Sequence, residues 1–151
     1  MVKPTVDEFL RDTLDVRRGR LAAIMLCHMA DHAALDGYTG PDMQKRLRAL
    51  HSELIDACSD FALIRDIADA SKHARLHVRL TEPRQVSTAD QIMPLPGLFG
   101  APFGEGGFAE AACVIVRFES GMIRPLETPV RLVLQMWERI LFPGPVALGD
   151  L

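Results

Sequence analysis

Between Thr81 and Gly107 the chain carries four prolines and five glycines. No continuous helix survives that density, because each proline removes a backbone donor and clashes with the preceding turn, while each glycine adds conformational entropy to be lost. The segment separates a first half that reads as helix from a shorter C-terminal portion. Leu95, Leu98, Phe99 and Phe103 lie in or beside the same punctuation, and apolar side chains in such number predict a long loop packed onto the body, where a free linker would be polar.

Hydrophobic periodicity organises what lies on either side. Thr5-Val6-Asp7-Glu8 has the form of a capping box, and Leu10, Leu14, Arg17, Leu21, Ile24, His28, Asp31 and Leu35 follow at spacings of three and four. The pattern predicts one long first helix, stopped at Asp36-Gly37. A second helix is expected from Pro41, with Leu47, Leu50, Leu54 and Ile55 inward, and a third from Phe61 to about Leu76, with Leu63, Ile64, Ile67, Ala70 and Ala74 as its apolar face. After the proline-rich segment, Ala112 to Phe118 and Met122 to Arg124 read as a hairpin across Glu119-Ser120-Gly121. Thr128-Pro129 then starts a last helix with Val130, Val133, Leu134, Trp137, Ile140 and Leu141 on one stripe.

The expected fold is mainly α: an antiparallel four-helix bundle with a Pro/Gly-rich insert and a small β-hairpin before the last helix, the insert covering about residues 81–127. At 151 residues and 48% hydrophobic content, residues 1–151 suit a single domain that hides roughly 68–70% of its unfolded surface without a disulfide or metal staple. Cys27, Cys58 and Cys113 are odd in number and far apart, so they match neither a zinc pattern nor a disulfide framework and are expected as free thiols. The run Leu21 to Cys27 behind Arg17, Arg18 and Arg20 superficially resembles a secretion signal, but His28 cuts it to seven residues. No run approaches the ~18 apolar residues of a membrane span. A cytoplasmic protein without membrane attachment is the expectation. A net charge of −3 lacks the basic excess of a general DNA binder, so no DNA footprint is expected.

The polar residues that could carry chemistry concentrate on the first and third predicted helices. Asp66, Asp69, His73 and His77 are spaced to share a face of about 80°. His28 sits on the predicted apolar stripe and must be paired if buried, with Asp31 and His32 one turn later. Ligands drawn from His28, His32, Asp69 and His73 would suit a divalent metal held between helices. Neither His28/His32 nor His73/His77 carries the Glu of a metalloprotease motif. No cofactor is therefore expected. Gly100 to Gly107 lacks the Lys-Ser/Thr of a phosphate loop and reads as a turn-rich segment. Met25 and Met29 widen the apolar face of the first helix, as a homodimer interface would.

The stretch Arg65-Asp66-Ile67-Ala68-Asp69-Ala70-Ser71-Lys72-His73 resembles the "RDxxNAxKH" helix of a group of bacterial helical proteins, and Cys27-His28-Met29-Ala30-Asp31 resembles the His/Asp signature on their first helix. Through them the chain is distantly similar to the HEPN (higher eukaryotes and prokaryotes nucleotide-binding) helical bundles. The likeness spans about residues 6–80. It implies either a metal-independent ribonuclease, built on an Arg and a His with four to six residues between them, or a binding and accessory module without catalysis. Arg65 and His73 enclose seven residues, one too many for that motif, and the last predicted helix holds no histidine. Arg46 and His51 fit the spacing, and Lys72 with His73 could supply a cation and a proton carrier. The expected function is a non-catalytic, HEPN-like module whose binding site draws on His28, Asp31, Asp66, Asp69, Lys72 and His73, with a protein, nucleotide or RNA as partner.

Overall fold

The structure, a computed structural model, describes residues 1–73, 84–95 and 113–143. It contains helices α1 (Val2–Arg11), α2 (Val16–Leu35), α3 (Met43–Ala57) and α4 (Asp60–Lys72), then a single 3-10 turn at Ala89–Gln91. Strands β1 (Ile92–Pro94), β2 (Val114–Arg117) and β3 (Ile123–Pro125) precede the last helix, α5 (Glu127–Leu141). The mainly helical architecture with a small antiparallel sheet before the final helix is the one expected from the sequence. Its details differ in instructive ways.

The first helix is not continuous. The chain leaves it at Asp12 and re-enters at Val16, because Asp15 caps a new helix by accepting the Arg18 backbone N–H at 3.0 Å. Asp12 pairs with the Arg18 guanidinium at 3.1 Å, and the Thr13 carbonyl accepts the Val114 N–H at 2.7 Å, so the break is docked on the sheet. Thr5, predicted to cap the helix, lies inside α1 and bonds back to the Met1 carbonyl. Leu14 falls in the break and is half exposed.

α2 runs through the centre and packs against α1, α3, α4, α5 and β1. Its buried face is Gly19, Ala22, Ala23, Leu26, Cys27, Ala30 and Ala34. That face is rotated from the stripe read in the sequence: Leu21 is exposed, and Ile24 and His28 are half-buried. Short side chains let neighbouring backbones come close. A Cβ on Gly19 would stand 2.7 Å from Leu126 Cδ2 and 3.1 Å from a Phe9 ring carbon. Trp137 of α5 lies buried against α2 and donates its indole N–H to the Leu26 carbonyl at 3.2 Å.

The sheet has order β1-β2-β3, all antiparallel, with Val116 opposite both Ile92 and Arg124. The hairpin of β2 and β3 matches the sequence reading, and β1 is an addition inside the proline-rich segment. Both outer strands carry a proline, Pro94 and Pro125, which withholds a donor from any further strand. Arg20 of α2 donates to the Ala89 and Ile92 carbonyls and fastens β1 to the bundle. The expectation of a packed insert holds for residues 84–95, where Val86 and Ile92 are fully buried. Leu98, Phe99, Phe103 and the Gly100–Gly107 turn segment lie outside the described residues. Arg124 forks onto the Asp60 carboxylate and ties β3 to the first turn of α4. α5 starts at Glu127 after Leu126, one residue before the predicted cap at Thr128, with Pro129 still in its first turn.

Substituting Gly19→Ala forces Leu126 or Phe9 out of place, and a destabilisation of about 1–3 kcal/mol is expected. A drop in the urea midpoint with unchanged slope would register it.

Candidate functional site

α4 puts more of its surface in the interior than a simple amphipathic helix does, with Phe61, Leu63, Ile64, Asp66, Ile67, Ala68 and Ala70 all buried. Among the described residues Asp66 is the one charged side chain that is buried, at 1% exposure. A carboxylate taken from water must be paired or protonated. Asp66 accepts the Gln85 backbone N–H at 2.8 Å and lies 3.4 Å from the Arg65 guanidinium and 3.7 Å from that of Arg84. Burial is the largest influence and pushes its carboxyl above the usual aspartate range, while the Gln85 bond and the two arginines pull it down. Arg84 also bonds Asp69 at 3.1 Å. One guanidinium thus bridges both acidic residues of the RDxxNAxKH-like stretch and holds the returning chain against α4.

A second group of ionisable side chains gathers where α2, α3 and α4 meet. Cys27 and Asp31 come from α2, His51 from α3, and Arg65, Asp69 and Lys72 from α4. Lys72, Asp69, Asp31 and Arg65 are all close enough to influence the Cys27 thiol electrostatically. Burial outweighs them and pushes that thiol up to about 12, which keeps it protonated. His51 packs edge-on to the Phe61 ring, centroids 5.5 Å apart. Its Nε2 is buried and has no hydrogen-bond partner among the described residues. Burial and then the Arg65 charge lower its pKa, opposed by Asp31 and Asp69.

Of the residues named from sequence, Asp31, Asp69 and Lys72 lie within electrostatic reach of the Cys27 thiol, and Asp31 and Asp69 also of His51, while Asp66 is held by Arg65 and Arg84. His73 is separate in character: the helix expected to reach about Leu76 ends at Lys72, and His73 is its extended C-cap and exposed. His77 lies outside the described residues. His28 is half-buried beside the buried face of α2, not on it. His32 is exposed and, with Asp31 and Asp36, edges a groove formed by Val2, Met29, Ala33, Leu35, Trp137 and Leu141, which no α4 residue lines. Among the described residues, no three His, Cys, Asp or Glu side chains gather as metal ligands would.

Arg46 and His51 diverge. Arg46 donates to the Ala34 carbonyl at the end of α2 and stacks over Tyr38, with 5.1 Å from Cζ to the ring centroid. A separation of five residues turns His51 about 140° away from it around the helix. The cation that does influence His51 is Arg65 on α4. The amphipathic phase of α3 carried that information, since Leu47, Leu50, His51, Leu54 and Ile55 fall on one stripe. The Arg84 clamp was out of reach of sequence periodicity, because its partners lie 15 and 18 positions away across a segment with no repeat.

No family model matches the chain, and no curated protein or solved structure matches it either.

Two outcomes follow from the geometry. Asp66→Ala strips the Gln85 N–H of its acceptor and removes one carboxylate from Arg65 and Arg84, with Asp69 still holding Arg84, so a loss of about 1–3 kcal/mol is expected. A double-mutant cycle with Arg84→Ala should show coupling of about 0.5–3 kcal/mol in denaturant unfolding. In the native protein Cys27 should resist thiol-specific labelling while the half-buried Cys58 reacts, and both should react once the chain is unfolded. Mass-spectrometric mapping of the labelled peptides reads this directly.

Proposed function

We propose that the chain is a non-catalytic helical binding or accessory module, HEPN-like in its bundle, that recognises an anionic partner at the exposed C-terminal end of α4. The observation that supports it most directly is the internal use of the acidic residues. Asp66 and Asp69 are bridged by Arg84, so they position the chain and are not free to serve as acid, base or metal ligand. Cys27 is held as a buried thiol, and Arg46 points away from His51. Of the candidates on α4, Lys72 in the last turn and His73 as its cap are presented to solvent.

Lys72 and His73 adjoin at the exposed end of α4, and the nearby Asp69 is already engaged by Arg84. A phosphate or carboxylate group would meet an ammonium and an imidazole there without having to displace an ion pair. The electrostatic share of such binding weakens with salt, as for any exposed charge contact. A nucleotide or short RNA fits this chemistry.

The decisive measurement uses the full chain with a fluorescent mixed-sequence RNA of about a dozen nucleotides and its unlabelled products. Salt-sensitive binding without cleavage is expected from pH 5.5 to 8.5, with at least a fivefold loss of affinity in Lys72→Glu/His73→Ala. Cleavage that disappears in His51→Ala would overturn the non-catalytic reading. Binding unchanged by the double substitution would overturn the assignment of the surface.

A further inference from the structure

α3 is the least deeply anchored of the helices beside α2. Of its fifteen residues only Leu54 is buried, and Leu47, Leu50, His51 and Ile55 are half-buried on the same stripe. Its first turn is tied by Arg46 to the Ala34 carbonyl and to Tyr38. The middle of the seam is a histidine where the pattern calls for an aliphatic residue. The imidazole sits edge-on to Phe61, which is fully buried beneath it, and its Nε2 is shielded from water with no acceptor within reach among the described residues.

That arrangement accommodates a neutral ring and opposes a charged one. A neutral imidazole can leave Nε2 as a bare lone pair at modest cost. An imidazolium puts an N–H there, and a buried charged donor without an acceptor is among the costliest groups a fold can hold. The charged groups facing the ring are Asp31 from α2 and Arg65 and Asp69 from α4. The carboxylates favour the proton and Arg65 opposes it. Arg65 is not fully neutralised by Asp66, since Asp66 is shared with Arg84.

We propose that His51 makes α3 a proton-released flap: protonation in mildly acid solution lifts α3 from α4 and uncovers Phe61 and the Arg65 side of the α2–α4 seam, while the rest of the bundle stays folded. The sign follows from linkage. With α3 detached, His51 titrates near the ordinary histidine value of about 6.5; with α3 docked, its pKa is lower. The docked state is therefore fully favoured above about 6.5 and loses that advantage as pH falls from there toward the lowered value. The flap rests on observations independent of the anion-binding surface proposed above, and its test does not involve a ligand.

Hydrogen exchange of the whole protein, expressed as protection factors to remove the intrinsic pH dependence, tests it at pH 7.5 and 5.5. Protection across residues 47–55 should fall severalfold at pH 5.5 in the wild type, toward the limit of about tenfold that a single histidine with a detached-state pKa of about 6.5 can supply, while α5 residues 130–137 keep theirs. His51→Leu should abolish the pH dependence in α3. Equal protection at both pH values, an equal fall in His51→Leu, or simultaneous loss in α5 would each overturn the proposal. Direct titration of the His51 ring by NMR in the wild type covers the case of a variant that does not fold: a pKa at or above the ordinary histidine value overturns it.

Discussion

Close approach along α2 is the constraint on which the other elements depend. Four helices and a strand meet this one rod, and five of its seven buried residues are glycine or alanine. Large side chains there would push each neighbour outward and open gaps between the helices, since interiors are packed to crystal density. Gly19 shows the tolerance most sharply, with Leu126 occupying the space a β-carbon would need. The Trp137 indole bond to the Leu26 carbonyl is available only because α5 lies so near.

Tight packing leaves little room for polar groups, and the few that enter are organised by charge. Asp66 is the clearest case. Its carboxylate joins an adjacent arginine, a distant arginine and a backbone donor from the chain that re-enters after α4. The same stretch that carries the RDxxNAxKH resemblance thereby acts as a structural clamp for residues 84–85. Removing its partners would cost more than the pair contributes, which is the usual asymmetry of buried ions. The exposed chemistry is displaced to the end of the helix, at Lys72 and His73.

α3 stands in contrast to this framework. It has one buried residue, and its stripe contains a histidine whose neutral form suits the site better than its charged form. Stability in the bundle is thus uneven: deep around α2, α4 and α5, shallow at α3. Local opening free energies follow such differences in buried apolar contact.

Much of the architecture was legible from local pattern. The inward faces of α3 through Leu54, of α4 through Leu63, Ile64 and Ile67, and of α5 through Val130, Val133 and Trp137 all follow from 3.6-residue periodicity, and the β2–β3 turn from Glu119-Ser120-Gly121. The rotation of α2 was not, because alanines carry a weak hydrophobic signal and the longer Leu21 and Ile24 draw the stripe toward the wrong side. Nor was the break at Asp12–Asp15, where the Asp15 cap competes with a continuous leucine pattern and the Thr13 carbonyl finds the distant Val114 N–H. The residue types, their spacing and the exclusion of helix from the proline-rich segment belong to the sequence alone. Which carboxylates are consumed by Arg84, and which cation faces His51, were decided by tertiary structure, because ion pairing across distant segments depends on burial and distance that no local pattern encodes.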